Sequence, residues 1–527
     1  MDRRDFMKKA ILSSLMLSSG SLALLKGKQS FADDDSDLLI FCIDARGAWD
    51  PSSFCDPLVS NGFYREMSPS ANEPLDGLTQ GSTADGSTNQ FSINERLNYQ
   101  DSEITFDGRF VPYGESDLQH LVRSDGSSLV VAPLIGNSGT PNGTFMVGGD
   151  NNPTDFFDTY KDDLVIINGV NTRTNAHPVG RRLAWSGRLR VGAPHLAALW
   201  GAIKEQQRGA PYAMTFTASG GFDATAGLLS VARAGNQKAL IDLTDVYAVA
   251  PYYNNYTQML STGLIDKIKS YETSKENRLR TSSVPPHVKA NIEKLQTARL
   301  AESDFQLLAD ALEQTNLPWN EDDGIFAQAH ILVSAMRAGI CKGAMLSFDA
   351  FDSHGDHFIN YSNNGNHPAR LKRLFDYTHY VRTELENAGL WERSIIILSS
   401  DFGRTRLNGE VKGKDHAPVT SMMIMGGDNT GVGSGKTMGY SYIRDIPKVA
   451  DGILELEAAK YSFAGNVKLE GGQLVNAYDL NEGFNITPGH VHYALRELLG
   501  INGNVLADTF ALDPEFSQTV YPFFEGV

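Results

Sequence analysis

The sequence predicts an α/β fold with a mainly parallel central sheet and helices on both faces. Two observations support this prediction: five continuous apolar runs that end in polar residues, and helical patterns that lie between them. Strands that alternate with helices indicate a parallel sheet covered on both sides. A strand buried on both faces has an unbroken apolar sequence rather than an alternating one.

The apolar runs are the predicted strands of this sheet. In chain order they are residues 38–43, 164–167, 344–348, 394–398 and 421–425. Apolar residues at helical spacing predict helices over residues 288–313, 326–338, 371–388 and 491–499. Loop-rich insertions are expected near 57–155, where Gly, Ser, Asn and Thr are frequent, and near 254–283, which is polar.

Residues 1–32 have the features of a twin-arginine signal peptide. The pair Arg3 and Arg4 precedes an apolar segment over residues 10–25, and small residues near its end suit cleavage. We therefore expect a mature domain over 33–527, contact with the twin-arginine export machinery, and a periplasmic or secreted location. No stable membrane span is expected after cleavage, and the alternative is an uncleaved membrane anchor.

The composition argues against a nucleic-acid partner and against a fold that depends on disulfides. The chain has 46 Lys and Arg against 63 Asp and Glu, a formal net charge of −17, so it would repel nucleic-acid phosphates. We expect no nucleic-acid partner. The three cysteines allow at most one disulfide, so the fold must depend on its core.

The densest set of ligand-capable side chains follows the third predicted strand. Asp352, His354, Asp356 and His357 fall within six residues of one loop. Mixed carboxylate and imidazole groups suit zinc, manganese or iron. The alternative is a turn in which an aspartate caps the helix that follows.

Other candidates lie at the ends of the remaining predicted strands. Asp44 follows the first strand, Asp401 follows the fourth, and Asp415 and His416 precede the fifth. Ligands of open parallel sheets collect at the carboxyl ends of the strands. Two neighbouring divalent ions there could bind both oxygens of a phosphoryl or sulfuryl transfer.

The order of three segments resembles the alkaline phosphatase superfamily, which includes sulfatases. The segments are 351–355, 401–404 and 415–417. Within that superfamily the sequence is most similar to an exported family called domain of unknown function 1501. The resemblance implies an alkaline phosphatase-like fold and one or two divalent ions, zinc or manganese above all. The ligands that it implies are Asp44, Asp352, His354, Asp401 and His416, with His357 in reserve.

The resemblance also implies a hydroxyl nucleophile at a helix start after an early strand. Thr174 and Thr172 stand at such a place. Arg173, Arg46 and Arg404 could hold an anionic substrate by forked hydrogen bonds, or could be ordinary surface arginines.

Two positions depart from the family pattern. Phe402 stands where the superfamily has a histidine of the second metal, and Ala176 stands where the family has a serine before His177. We therefore expect either a site with a single metal ion or an altered second metal site. The sequence predicts an exported metal-dependent hydrolase acting on a small phosphate or sulfate ester. The alternative is a non-catalytic envelope protein that kept the fold as a binding or structural module.

Overall fold

The computed structural model describes residues 37–57, 119–131, 153–210, 324–348, 351–354, 367–408, 413–442, 462–479, 481–516 and 519–527, with shorter segments between them. The described residues do not include the predicted signal peptide, His357 or most of the two predicted insertions. The chain divides into two units: the first is 1–37, 197–218 and 227–344, and the second is 38–196, 219–226 and 345–527.

The strands are numbered here in chain order. They are β1 (Leu39–Ala45), β2 (Gln80–Ser82), β3 (Thr88–Gln90), β4 (Gln119–Val122), β5 (Ser128–Val131), β6 (Thr144–Met146), β7 (Pro153–Asp155), β8 (Leu164–Asn171), β9 (Thr215–Ala218), β10 (Ala232–Arg233), β11 (Ala248–Val249), β12 (Thr257–Gln258), β13 (Gly343–Phe348), β14 (Ser394–Ser400), β15 (Gly403–Asn408), β16 (Gly413–Ala417), β17 (Val419–Gly426), β18 (Lys436–Met438), β19 (Ser441–Tyr442), β20 (Asp445–Ala450), β21 (Ile453–Ala458), β22 (Phe463–Ala464), β23 (Asn466–Glu470), β24 (Gln473–Ala477) and β25 (Phe484–Asn485).

The helices are numbered in the same way. They are α1 (Phe156–Tyr160), α2 (His177–Ser186), α3 (Leu196–Arg208), α4 (Gly324–Arg337), α5 (His367–Asn387), α6 (Pro488–Leu498) and α7 (Val505–Thr509). Short 3-10 turns cover Pro51–Ser53, Trp391–Arg393 and Asp428–Thr430. None of the described helices combines the length and the apolar character that a membrane crossing needs.

The first unit contains the parallel pair of strands β9 and β10, together with helices α3 and α4. A compact ion-pair cluster lies in this unit. The carboxylate of Asp37 contacts the ammonium of Lys204 at 3.0 Å and the guanidinium of Arg208 on α3. The two pairs join Asp37 to a helix far along the sequence.

In the second unit, the central sheet runs in the order β13-β1-β14-β17-β8-β18. β1 is parallel to β14, and β18 is parallel to β8, whereas β17 is antiparallel to both β14 and β8. Strands β1, β14, β8 and β18 therefore point one way, and only β17 among these five opposes them. The α/β class is confirmed, and the sheet is mainly parallel but mixed.

The central strands are buried along their whole length. Every residue of β1 and β14 is buried, as are the first seven residues of β8 and of β17. Because successive side chains of a strand point to opposite faces, both faces of the sheet must be covered. This explains why the strands appear in the sequence as unbroken apolar runs. All five predicted strands correspond to observed ones, and of their residues only Leu38 lies outside.

Helix α2 follows β8 and has clear start and stop signals. Pro178 occupies its first turn, where the missing N–H costs no hydrogen bond, and Gly187 ends it in the left-handed region at φ 67°. Three of the four predicted helices correspond to α4, α5 and α6. The predicted helix over 288–313 lies almost entirely outside the described residues.

A buried carboxyl group ties the loop after β1 to β19. The hydroxyl of Ser441 donates to the carboxylate of Asp56, and backbone N–H groups of Ser441 and Gly169 also contribute. Asp56 is only 7% exposed. Burial raises the pKa of Asp56 to about 6, against the effect of these hydrogen bonds.

We expect Asp56→Asn to become more stable than the wild type as the pH rises. The pKa of Asp56 is higher in the folded than in the unfolded protein, so its stabilising effect is complete below about pH 4 and lost as the pH passes about 6. The stability that the wild type loses over this pH range is about 3 kcal/mol. The asparagine variant does not lose it, because an amide does not ionise. Urea unfolding of both proteins at pH 4 and pH 7 measures it, and an equal difference at the two pH values would contradict it.

Candidate metal centre

Three histidine side chains converge at the carboxyl edge of the sheet. The Nε2 atom of His416 lies 3.1 Å from Nε2 of His177 and 2.8 Å from Nε2 of His354. The carboxylate of Asp352 lies beside all three, at 3.7 Å from His177, 3.2 Å from His354 and 3.5 Å from His416. Four ligand-capable groups from three separate segments thus come together, and His416 lies next to both of the other histidines.

The antiparallel direction of β17 explains how His416 reaches this edge. β17 begins where β8 ends, with Val419 paired to Asn171. The segment that precedes β17 therefore lies at the carboxyl ends of β1, β14 and β8. Strands β15 and β16 form a hairpin there, with Arg404 opposite His416.

Each histidine turns its other ring nitrogen toward an oxygen atom. Nδ1 of His177 lies 2.6 Å from Oδ2 of Asp401, and Nδ1 of His416 lies 2.7 Å from the carbonyl oxygen of Asn175. Nδ1 of His354 lies 3.5 Å from Oδ1 of Asp415. Metal-binding histidines typically donate their second N–H to a carboxylate or a carbonyl in this way.

These partners determine where the imidazole lone pairs point. An Nδ1 that donates to oxygen carries the proton, so the Nε2 of a neutral ring is an acceptor. Burial lowers the pKa of His416, against its hydrogen bond to the Asn175 carbonyl, which favours the neutral ring. If both rings are neutral, the Nε2 atoms of His177 and His416 face each other as acceptors at 3.1 Å, an arrangement that a cation between them would stabilise.

The donor set and its spacing fit a divalent ion. Ligand atoms that are each about 2.1 Å from one ion lie roughly 3.0–3.4 Å apart, depending on the geometry. In the group of His177, Asp352 and His416, the observed separations run from 3.1 Å between the two histidines to 3.7 Å between His177 and Asp352. Two imidazoles and a carboxylate suit zinc, manganese or iron.

Arg404 fixes the position of Asp352. Its side chain is fully buried, and Nη2 donates to Oδ1 of Asp352 at 2.8 Å. Its other hydrogen bonds go to the carbonyl oxygens of Gly47, Ala48, Phe351 and Lys414. Burial opposes ionisation of Asp352, but the hydrogen bond and the charge of Arg404 lower its pKa overall. The guanidinium of Arg404 therefore holds Asp352 in place and is not free to bind a ligand.

Asp401 supports a histidine of the cluster. Its Oδ2 receives the Nδ1–H of His177 and, at 3.3 Å, the N–H of Gly47. It is 2% exposed, and its Oδ1 has no hydrogen-bond partner within the described part of the chain.

Asp44 lies beside this cluster, with its carboxylate engaged by protein donors. Arg181 donates to Oδ2 at 2.7 Å, Trp185 donates to Oδ1 at 2.8 Å, and Ser347 donates to Oδ2 at 3.2 Å. Burial, opposed by Arg181 and assisted by the charge of Asp401, raises the pKa of Asp44 to about 6. Asp44 is absent from the two ligand-capable groups found among the described residues, which are His177, Asp352 and His416, and His354, Asp415 and His416.

One face of helix α2 provides residues that the sequence analysis did not select. His177, Arg181 and Trp185 are spaced four residues apart, so they lie on the same face of the helix. His177 contacts Asp401, whereas Arg181 and Trp185 both contact Asp44. The signal in the sequence was the spacing of these three side chains directly after a buried strand.

The predicted nucleophile and anion-binding residues lie in the loop before α2. Thr172 is buried, and its hydroxyl donates to the Pro418 carbonyl at 2.8 Å. The hydroxyl of Thr174 is half-buried and accepts the N–H of Ala176 at 3.2 Å. Arg173 is exposed, pairs with Glu515 at 3.0 Å and lies over the ring of Phe516.

Phe402 packs against the imidazoles instead of adding a ligand. Its ring centroid lies 4.8 Å from that of His177 and 4.6 Å from that of His416. The ring limits the orientations open to both histidines. The position that departs from the family pattern is therefore part of the wall of the cluster.

A family model matches residues 110–445, and its description is "Protein of unknown function (DUF1501)". The chain belongs to the DUF1501 family. The matched range includes α2, Asp352, His354, Asp401 and His416 of this DUF1501 protein. Membership of the family, expected from the sequence motifs, is confirmed. The link to the alkaline phosphatase superfamily and the export of the chain stay predictions.

No curated protein matches the sequence. One similar solved structure comes from Bacteroides thetaiotaomicron and was described in connection with the metabolism of multiple glycosaminoglycans. It is 9% identical, and the match covers 92% of this chain and 99% of that one with a TM-score of 0.23. A TM-score of this size does not establish a common fold.

Gly180→Ala is expected to displace α2 and lower the melting temperature. A Cβ at this position would lie 2.3 Å from the carbonyl oxygen of Asp401 and 2.8 Å from Cδ1 of Phe402. The clash with backbone costs about 1–3 kcal/mol, more than the helix propensity of alanine returns. Thermal unfolding measures this. The matched control is Gly324→Ala at the start of α4, where nothing lies within 4 Å, and an equal effect of both variants would contradict the expectation.

Proposed function

We propose that this DUF1501 protein is an exported metal-dependent hydrolase that acts on a phosphate or sulfate ester. The observation that supports the proposal best is the convergence of three Nε2 atoms, each from a ring whose Nδ1 faces an oxygen. His177, His416 and Asp352 would hold the ion, with His354 next to them. The fold would be of the alkaline phosphatase type, as the sequence motifs suggest.

An ion bound by these residues would act as a Lewis acid on an ester oxygen and offset the charge of the reacting group. The protein's own part is to hold the ligands in place. Asp401 orients His177, the Asn175 carbonyl orients His416, and Arg404 orients Asp352. About half of the side-chain surface of Asp352 and His354 is exposed, so a substrate can approach from the solvent side.

Of the two predicted threonines, Thr174 has the more accessible side chain and lies three residues before His177. The hydroxyl of Thr172 lies within hydrogen-bonding distance of two carbonyl oxygens, those of Thr174 and Pro418. We propose Thr174 over Thr172 for this role, with an attacking water molecule as the alternative.

A second candidate function is that of a non-catalytic envelope protein that binds one ion for stability. The contacts of the expected catalytic groups favour it. Arg173 is paired with Glu515, Arg404 hydrogen-bonds within the protein, and the ring of Phe402 stands against the histidines. Ester hydrolysis distinguishes this candidate from the hydrolase.

We expect folded mature protein supplied with zinc or manganese to retain the ion, and His416→Ala to lose it. His416 lies between the other two histidines, so its removal separates the remaining ligands. Mass spectrometry of the metal content measures this, with His120→Ala, an exposed histidine in β4, as the matched control. A rate of p-nitrophenyl phosphate or sulfate hydrolysis that rises and falls with the metal content would support the hydrolase. A bound ion without hydrolysis would favour the structural role, and no ion in the wild type would overturn both.

Asp401→Asn is expected to weaken metal binding about 10–100-fold while leaving the ion able to bind. The amide keeps the shape of the side chain but removes the negative charge that faces Nδ1 of His177. Competition with a chelator of known affinity measures the change. An unchanged affinity would show that Asp401 does not support the centre, and complete loss of the ion would indicate that Asp401 is itself a ligand.

A further inference from the structure

Two buried carboxylates lie close together at the ends of β1 and β14. These strands are parallel neighbours, with Asp44 paired to Ser399 and Ala45 to Ser400, and Asp401 follows directly. Asp44 is 0% exposed and Asp401 is 2% exposed. Two neighbouring negative charges that are removed from water need positive charge beside them.

The positive charge beside Asp44 belongs to the protein itself. Nε and Nη2 of Arg181 both lie 2.7 Å from Oδ2 of Asp44, and the side chain of Arg181 is 13% exposed. Nη2 of Arg181 also donates to the hydroxyl of Ser347 at 3.1 Å. Because Trp185 donates to Oδ1, both oxygens of Asp44 are engaged. An ion could reach this carboxylate only by displacing the guanidinium.

Asp401 by itself offers too little for another ion. Its Oδ2 already accepts from His177 and Gly47, which leaves only Oδ1. One oxygen does not make a site for a metal that takes four or more ligands. The neighbouring Phe402 adds a ring and no ligand atom.

We infer that Arg181 takes the place of a second metal ion, so that the centre holds one divalent ion per chain. This inference rests on the proposed function, since it assumes that the histidine cluster binds an ion. Asp44 then binds the guanidinium instead of a metal. The same helix face serves both partners: His177 faces the ion, and Arg181, one turn later, faces Asp44.

The first test counts ions by native mass spectrometry on wild-type protein with zinc in excess. One ion per chain is the expected result. Two ions would overturn the inference while leaving the metal centre standing, whereas no ion would overturn the metal centre and the inference with it. Asp44→Asn is expected to keep the single ion, because Asp44 is not a ligand, and loss of that ion would also overturn the inference.

The second test removes the guanidinium. In Arg181→Ala, Oδ2 of Asp44 loses the guanidinium and can join Oδ1 of Asp401 as a ligand, with water molecules to complete the coordination. We expect zinc in excess to raise the count from one ion to two. The matched control is Arg182→Ala on the same helix, whose guanidinium binds the Leu189 carbonyl, and its count should stay at one. A folded Arg181→Ala protein that still holds one ion would overturn the inference. If that variant does not fold, the wild-type and Asp44→Asn counts decide alone.

Discussion

The buried guanidinium of Arg404 is the interaction on which the candidate centre depends. It hydrogen-bonds the loop after β1, the loop after β13 and strand β16, and it also binds the carboxylate of Asp352. A planar fork with five N–H donors can join several acceptors at fixed angles, which an ammonium group cannot do. These two loops and the strand are thus held by a single side chain, and the cost of burying its charge is offset by these hydrogen bonds.

Glycines allow these loops to come so close. Gly47 has φ 101°, and a Cβ there would lie 2.5 Å from the backbone nitrogen of Asp352. Gly180 lets α2 approach the backbone of Asp401 in the same way. Both contacts are between backbones, so a side chain could not turn aside to make room. The distance between the loops, and with it the spacing of the ligands, is therefore set by the absence of two side chains.

The carboxylates at the sheet edge divide into different roles according to their neighbours. Asp352 is half-exposed and faces the imidazoles, Asp401 is buried behind His177, and Asp44 is buried against Arg181. Their residue type is the same, so only their surroundings distinguish a possible ligand from a supporting group. The family has no established activity, and a fold does not by itself imply a function. The proposed chemistry therefore depends on this division of roles.

The sequence by itself determined five strands of the central sheet, three of the helices, and the segments that carry Asp352, His354, Asp401 and His416. It could do so because a strand buried on both faces has an unbroken apolar sequence, and polar residues at its end are visible as a change of composition. The tertiary structure alone decided that β17 is reversed, that His177 joins the cluster, and that Arg181 binds Asp44. These depend on which strands become neighbours and on how α2 is placed over their ends. Such contacts join residues more than a hundred positions apart, and no local pattern records them.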